Sequence, residues 1–285
     1  MMNRTIVVGI DGSQTARSAL VWAAEDALRR NRPLRIVHAR EPWSAEHPLT
    51  ASGDQETLTE RCQALLADAA ERAAALAPGV RISTALLTGA VIERLKTESE
   101  RADTLVVGSR GLGGFAGLVL GSVVLGLAGH AECPLVVVRL LTHEGNGEIV
   151  VGHDGSPNAD LALEYAMEQA AARQARVRVL HASRYPIRAP HPAGSGPSPA
   201  GEAVELGPRL MPWREKYPDI QVIETTVHGH PVPALAQASK AADLVVVGSR
   251  GLGGFASAAL GSVSHGVLHR ARCPVAVTST PGRRA

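Results

Sequence analysis

A glycine-rich segment occurs twice in this chain, and it restricts the fold more than any other feature. Residues 108–116 read Gly-Ser-Arg-Gly-Leu-Gly-Gly-Phe-Ala, and residues 248–256 repeat them unchanged. Each copy follows a run of apolar residues that predicts a buried strand, and a Gly-Ser pair lies at the same distance behind it. Successive backbone N–H groups in such a turn can point at one anion, and a following helix start adds unpaired amides. The sequence therefore predicts two anion-binding turns of one design.

The repeat extends over the whole chain. Ile-Val-Val-Gly-x-Asp-Gly-Ser stands at residues 6–13 and at residues 149–156, and the pair His-Ala recurs at residues 38–39 and 181–182. Strand and helix patterns alternate in both halves, which is typical of a parallel sheet covered by helices on both faces. A length of 285 residues also fits two domains. We predict an α/β protein with domains at residues 1–142 and 148–285, joined by a short polar linker.

Expected element bounds follow from the apolar periodicity and the turn residues. In the first half, strands are predicted at residues 6–10, 34–39, 80–87, 104–107 and 134–140, with helices at 13–30, 56–76, 90–99 and 122–129. The second half loses three residues between Ala182 and Ile220, where residues 184–201 are rich in Pro, Gly and Ser. We expect a mobile loop there, followed by a shortened or broken helix.

Composition excludes several function classes. A net charge of +2 with dispersed basic residues does not favour nucleic acid. The uncharged stretch at 111–131 is rich in glycine, and polar residues occupy the same register in the second copy, so we expect a water-exposed helix and no membrane span. Cys62, Cys133 and Cys273 form no Cys-x-x-Cys pair. Small buried residues are favoured over a redox pair, and a reducing, cytoplasmic location fits, without an export signal.

Two acidic residues close the first strand of each half. Asp11 follows Gly9, and Asp154 follows Gly152. In a doubly wound sheet, ligands bind beyond the carboxyl ends of strands where strand order reverses. If the first and fourth strands are neighbours, each aspartate faces a glycine turn. A turn aspartate that binds its own backbone is the alternative interpretation, but its repetition beside the glycine turn favours a ligand.

The glycine turns differ from two common nucleotide-binding motifs. No Gly-x4-Gly-Lys-Ser/Thr occurs, which excludes the standard phosphate loop. The pattern Gly-x-Gly-x-x-Ala at residues 111–116 and 251–256 matches a dinucleotide fingerprint, but it follows the fourth strand and lacks the later acidic residue. A dinucleotide-binding module remains an alternative.

The spacing Gly-x2-Gly-x9-Gly-Ser after a valine-rich strand, an aspartate closing the first strand and a Cys-Pro before the last strand together resemble the ATP-binding class of the universal stress protein family. The resemblance covers both halves and is to the tandem form common in actinobacteria. It implies two doubly wound parallel sheets of five strands, order 3-2-1-4-5, of the adenine-nucleotide alpha-hydrolase-like type. It further implies ATP, with Mg2+, at each crossover.

The resemblance assigns site residues by position. Asp11 and Asp154 would meet the ribose and phosphates, the backbone at Ala39 and Ala182 the adenine, and Gly9 and Gly152 would permit close approach. The triphosphate positions are Gly108, Arg110, Gly111, Gly121, Ser122 and Val123 in the first half, and Gly248, Arg250, Gly251, Gly261, Ser262, Val263 and Ser264 in the second. For the two arginines a solvated side chain is an equal alternative. Ser264 provides a further hydroxyl where the first half has Val124, so we expect two sites of unequal affinity.

The residues favour binding over catalysis. No Ser/His/Asp arrangement, His-Glu-x-x-His motif or loop lysine is recognisable. His265 and His269 have a metal-ligand spacing, although a solvated helix face is favoured. We expect an ATP-dependent regulatory stress protein, with a slow ATPase or phosphotransferase as the enzyme alternative.

The resemblance implies pairing of the halves through strands 134–140 and 274–279. We also expect a homodimer through these edges and an unidentified protein partner.

Overall fold

The computed structural model describes residues 5–41, 58–112, 119–139, 145–183, 206–252 and 260–280. The first half runs β1 (Thr5–Gly9), α1 (Gln14–Arg29), β2 (Leu34–Arg40), α2 (Leu58–Leu76), β3 (Ile82–Thr88), α3 (Val91–Ser99), β4 (Ala102–Gly108), α4 (Ser122–Leu127), β5 (Leu135–Val138). The second half runs β6 (Glu148–Gly152), α5 (Pro157–Arg173), β7 (Arg176–Ser183), α6 (Leu206–Lys216), β8 (Val222–His228), α7 (Pro231–Ala238), β9 (Leu244–Gly248), α8 (Ser262–Arg270), β10 (Val275–Thr278). The predicted alternation of strands and helices is confirmed in both halves.

All ten strands form one sheet in the order β3-β2-β1-β4-β5-β10-β9-β6-β7-β8. Each half has the predicted order 3-2-1-4-5, with parallel pairing throughout. The halves meet through β5 and β10, which pair antiparallel with Val275 opposite Val137. The two five-stranded sheets thus join into one continuous sheet, through the two strands that the resemblance indicated.

This pairing also corrects the expected dimer surface. The sequence predicts a homodimer that forms through the edges of the last strands. In the structure β5 and β10 hydrogen-bond to each other within the chain. Their edges are therefore not available to a second chain. The outer strands of the sheet are β3 and β8.

The central strands are buried on both faces, as a parallel sheet between two helix layers requires. Ile6, Val8 and Val106 belong to one apolar cluster, and Val7 and Val107 to the cluster on the opposite face. Helix α1 contributes mainly small residues, and Ala19, Ala23, Ala24 and Ala27 are fully buried. Small side chains let this helix pack closely on the sheet, which explains how a chain with few aromatic residues fills its core.

The irregular part of the second half lies where the sequence indicated. Helix α6 has 11 residues and contains Pro212, whereas its counterpart α2 has 19 residues. A shortened helix is thus confirmed within the described chain. The expected loop at 184–201 lies outside the described residues. Among the helices that the structure describes, none combines the length and apolar character of a membrane span.

A buried polar network joins α1 of one half to α5 of the other. The carboxylate of Asp26 is fully buried and pairs with Arg173 of α5 at 3.1 Å. Gln169 of α5 donates to the same carboxylate at 3.3 Å. Arg30 contacts Asp26 at 3.4 Å and Asp103 at 2.6 Å. The two halves are therefore linked by charge across their helices, in addition to the β5–β10 pairing.

Removal of the central carboxylate should destabilise the whole chain. We expect Asp26→Ala to lower the free energy of unfolding by about 3–5 kcal/mol, because it leaves buried arginines without their partner. Glu25→Ala is the control: its exposed pair with Arg29, at 2.8 Å, contributes at most about 0.5 kcal/mol. Urea unfolding of both variants measures the difference, and equal losses would contradict the role given to Asp26.

Candidate functional site

Asp11 lies beside the glycine loop because β1 and β4 are neighbours. Gly9 stands opposite Val107 in the parallel register, so both strands end at the same edge of the sheet. One carboxylate oxygen of Asp11 accepts the Ser13 N–H at 2.9 Å, and the other accepts the Leu112 N–H at 3.0 Å. Asp11 is thus both a turn aspartate and a bridge to the glycine loop.

The second half repeats this bridge. Asp154 accepts the N–H of Ser156 at 3.0 Å and the N–H of Leu252 at 3.1 Å. One oxygen of each carboxylate thus serves the local turn, as the turn interpretation expects, and the other holds the loop; a ligand contact of either aspartate stays a prediction.

The first turns of α1 and α5 hold the loops from a second side. The hydroxyl of Thr15 donates to the carbonyl of Arg110, and Ser13 Oγ donates to the same carbonyl at 3.2 Å. In the second half Asn158 Nδ2 donates to the carbonyl of Arg250 at 3.3 Å. Thr15 and Asn158 were not among the predicted site residues. A sequence feature that could have identified these two residues is their position: each is a polar residue in the first turn of a helix whose other buried residues are mainly apolar.

Two glycines of each loop are required by contacts within the protein. A Cβ atom on Gly108 would lie 2.7 Å from the backbone nitrogen of Ala16, and one on Gly111 would lie 2.5 Å from Asp11 Oδ2. Gly248 and Gly251 face Asn158 and Asp154 in the same way. These glycines therefore let the loop lie against the helix start and the carboxylate, whatever the loop binds.

The first strand glycines have a similar role. A Cβ atom on Gly9 would lie 3.3 Å from Leu95 Cδ2 of α3, and one on Gly152 would lie 3.1 Å from Leu235 Cδ1 of α7. The close approach expected at these positions is thus, in the structure, an approach by helix side chains. Gly9 still contributes to the wall of the cavity described next.

A cavity of about 510 Å³ lies at this edge of the first half. All nine residues predicted for that half line it: Gly9, Asp11, Ala39, Gly108, Arg110, Gly111, Gly121, Ser122 and Val123. The structure brings them together, and their part in binding stays a prediction. Sequence reasoning missed the apolar wall of Val37, Val91, Leu95 and Leu120. Its signals were the i, i+4 spacing of Val91 and Leu95 and the alternation of Val37 with Ala39.

Helix starts complete the polar side of each site. Gly121 and Gly261 are the N-cap residues of α4 and α8, and neither helix has a side-chain cap. The N–H of Gly121 donates to the carbonyl of Ser109 at 2.9 Å, and that of Gly261 to Ser249 at 2.7 Å. These bonds close the loops, while the first amides of each helix lack an intrahelical partner.

Ser264 bonds to the loop backbone of the second half. Its hydroxyl is buried and lies 2.6 Å from the carbonyl of Gly248 and 3.2 Å from that of Ser249. In this geometry it fastens α8 to the loop. Val124, at the corresponding position, is buried in the core of the first half. A phosphate contact of Ser264 and the unequal affinity of the two sites stay predictions.

A histidine on the second strand of each half supports the aspartate turn. His38 Nδ1 lies 2.7 Å from the carbonyl of Ile10, and His181 Nδ1 lies 2.9 Å from the carbonyl of His153. Since a carbonyl only accepts, Nδ1 carries the proton in both. Ala182 follows His181 and pairs with Val227 of β8, as Ala39 pairs with Leu87 of β3.

Comparison with known proteins places the chain in a family. The profile described as "Universal stress protein family" matches residues 2–139 and again residues 145–279. The chain belongs to the universal stress protein family. Universal stress protein Rv2623 of Mycobacterium tuberculosis is 36% identical over 283 residues, which are 95% of each chain. Universal stress protein Rv1996 of the same organism is 33% identical over 305 residues, covering 98% of this chain and 96% of the relative.

A solved structure extends the comparison to the fold. A universal stress protein from Archaeoglobus fulgidus superposes with a TM-score of 0.71 over 98% of this chain and 99% of its own, at 21% identity. At that identity the likeness concerns the fold alone. The tandem arrangement of two universal stress protein halves is confirmed by the double family match and by relatives of the same length.

One residue near the second site gives a prediction about pH. Burial lowers the pKa of His153 below its ordinary value of 6.5. The hydrogen bond to Asp160 acts in the opposite direction and is the smaller effect. The neutral ring donates from Nε2 to Asp160 and accepts the Gly155 N–H at Nδ1. A depressed histidine pKa means that the unfolded chain binds the proton more tightly. This contribution to stability is full above about pH 6.5 and falls as the pH drops below that value.

We expect His153→Ile, which copies Ile10 of the first half, to reduce the loss of Tm between about pH 7.5 and about pH 5.5. Thermal unfolding at both pH values measures the effect, with His130→Gln, an exposed histidine, as the control. An unchanged pH dependence in His153→Ile would contradict the neutral buried ring.

Proposed function

We propose that each half of this universal stress protein binds one ATP with Mg2+, and that the chain acts as a nucleotide-dependent regulator. The observation that carries the proposal is the composition of the first cavity. Its lining divides into apolar side chains and a polar set made of a carboxylate, an arginine and the uncapped start of α4. A nucleotide has the same division between a flat apolar base and charged phosphates.

The division of roles follows from the wall that each group forms. Val37, Ala39, Val91 and Leu95 would receive the base, and the amides of the glycine loop and of α4 would receive the phosphates. Each oxygen of Asp11 already accepts one N–H group and keeps a second lone pair for a ribose hydroxyl or a cation. By repetition, Asp154, Ala182 and the second loop would form the equivalent site.

The carboxylates beside the loops are suited to bind a Mg2+ ion that arrives with the nucleotide. Within the described chain no cluster of three or more metal-ligating side chains occurs. Mg2+ commonly binds to one or two carboxylates together with substrate phosphates and water. Asp11 and Asp154 are the carboxylates at the loops, and the cation would neutralise phosphate charge there.

Regulation is favoured over catalysis because of how the ionisable groups are used. Among the residues that the structure describes, Asp11 and Arg110 are the ionisable ones that line the first cavity. Asp11 accepts two backbone N–H groups, which hold its carboxylate in place as a structural ligand. We infer that nucleotide occupancy orders the loops and changes which protein partner the chain binds. A homodimer would use a surface other than β5 and β10.

The remaining parts of the proposal concern boundaries and location. We keep domain boundaries at residues 1–142 and 148–285. The three free cysteines are all buried, which fits small core residues in a reducing cytoplasm.

Mass spectrometry of nucleotide released from freshly purified, denatured protein tests the proposal. We expect ATP or ADP at up to one equivalent per half. The Asp11→Ala/Asp154→Ala variant should bind added MgATP roughly ten- to a hundredfold more weakly, because hydrogen bonds to charged groups contribute about 1.5–3 kcal/mol. Asp68→Ala, which removes only an exposed pair with Arg72, is the control.

Other outcomes would reassign the function. A released nicotinamide dinucleotide would replace ATP with the dinucleotide alternative. Turnover of many ATP equivalents by the wild type, lost in the double variant, would establish the enzyme alternative. Protein that is empty and does not bind MgATP would contradict the proposal.

A further inference from the structure

Basic side chains of both halves meet beside the first glycine loop, at the seam between β5 and β10. The loop reaches this seam because the Ser109 N–H donates to the carbonyl of Val138 at 2.8 Å. Arg110 is the next residue of the loop, and Arg139 is the next residue after β5. The first cavity, which Arg110 lines, therefore opens close to the seam.

The second half adds its charges through β10 and α8. Val275 stands opposite Val137 in the antiparallel register, so the segment before β10, with Arg272, lies near Arg139. Arg139 Nη2 donates to the carbonyl of Leu268 at 2.5 Å, at the end of α8. His265 and His269 lie on that helix with ring centroids 4.5 Å apart. We call the set Arg110, Arg139, His265, His269, Arg270 and Arg272 the junction cluster.

The charge of the junction cluster is not compensated. Among the described residues, no carboxylate forms an ion pair with any of its four arginines. Burial and the nearby positive charges of Arg110 and Arg272 lower the pKa of Arg139 from its ordinary value. Burial, with His265, Arg139 and Arg270, likewise lowers the pKa of His269. Both effects are those of basic groups held close together.

The opposite side of the seam shows that the fold does not need these charges. Ser279 occupies the position of Arg139, since Ser249 N donates to Thr278 as Ser109 N donates to Val138. Ser279 donates to a carbonyl of the first half, Ala131, at 2.8 Å. Glu132 occupies the position of Arg272, and both donate a backbone N–H to a serine hydroxyl. The same backbone packing thus forms once with the basic residues and once without them.

We propose that the junction cluster binds a chain of phosphate groups. Planar guanidinium groups bind phosphate oxygens in pairs, and several of them in a row match a ligand with several adjacent phosphates better than one with a single charge. The chain of phosphates has two sources, an inorganic polyphosphate or the phosphate tail of a nucleotide in the first cavity. Only the second source rests on the proposed function.

The test titrates inorganic tripolyphosphate into the nucleotide-free full chain by calorimetry. We expect Arg139→Gln/Arg272→Gln to weaken binding at least about tenfold, and the exposed Arg272→Gln change alone to weaken it in the same direction. Affinity should fall less steeply with salt in the variants than in the wild type. Arg72→Gln is the matched control, because it removes one positive charge from α2, whose exposed pair with Asp68 lies outside both glycine loops and the junction cluster, and tripolyphosphate affinity should be unchanged.

Parallel titrations with ATP and AMP distinguish the sources. A wild-type preference for ATP over AMP that shrinks in Arg272→Gln indicates the nucleotide tail; an unchanged preference together with weaker tripolyphosphate binding indicates the inorganic anion. Arg272-dependent tripolyphosphate binding in a chain that does not bind ATP would support the junction cluster while the proposed function fails. Unchanged tripolyphosphate affinity in both variants, or an equal loss in Arg72→Gln, overturns the inference.

Discussion

The hydrogen bonds of one carboxylate in each half determine the shape of the site. Asp11 connects the turn after β1 to the loop after β4 by accepting one N–H group from each. Asp154 does the same in the second half. Because the two strands are adjacent and end together, one side chain is enough to fix the loop against the sheet. The start of each loop is thereby fixed to the turn after the first strand of its half.

The two halves form one structural unit through two contacts of different kinds. The pairing of β5 with β10 joins the sheets, and the Asp26–Arg173 pair joins the helices that begin at the two loops. Helix α1 starts at the residues that hold the first loop, and α5 starts at those that hold the second. A displacement of either loop would therefore act on a helix that carries the buried pair. This arrangement provides a physical connection between the two sites.

Local sequence signals predicted much of the fold and of the site. The repeated glycine segment, the aspartate after β1 and the alternation of apolar strands with amphipathic helices are each readable within short windows. The family resemblance, carried over to these signals, assigned nine first-half positions, and all of them line the cavity. The resemblance contributed the strand order, which periodicity alone does not determine.

The features that sequence reasoning missed depend on partners distant in the chain. Thr15 bonds to Arg110, and Asp26 bonds to Arg173, contacts that no local pattern specifies. The resemblance assigned Ser264 to the phosphates, and no local pattern indicates that its hydroxyl also bonds to the carbonyl of Gly248. The homodimer surface was misplaced for a similar reason, since two edge strands of one chain can pair with each other.

The central claim is that the glycine loops bind phosphate groups. Hydrogen–deuterium exchange with and without MgATP, resolved to residues 109–112 and 121–124 and to residues 249–252 and 261–264, tests it most directly. Adenosine, which lacks phosphates, is the matched ligand. The claim predicts slower exchange at these amides with MgATP and little change with adenosine. Unchanged exchange with MgATP, or equal protection by adenosine, would contradict it.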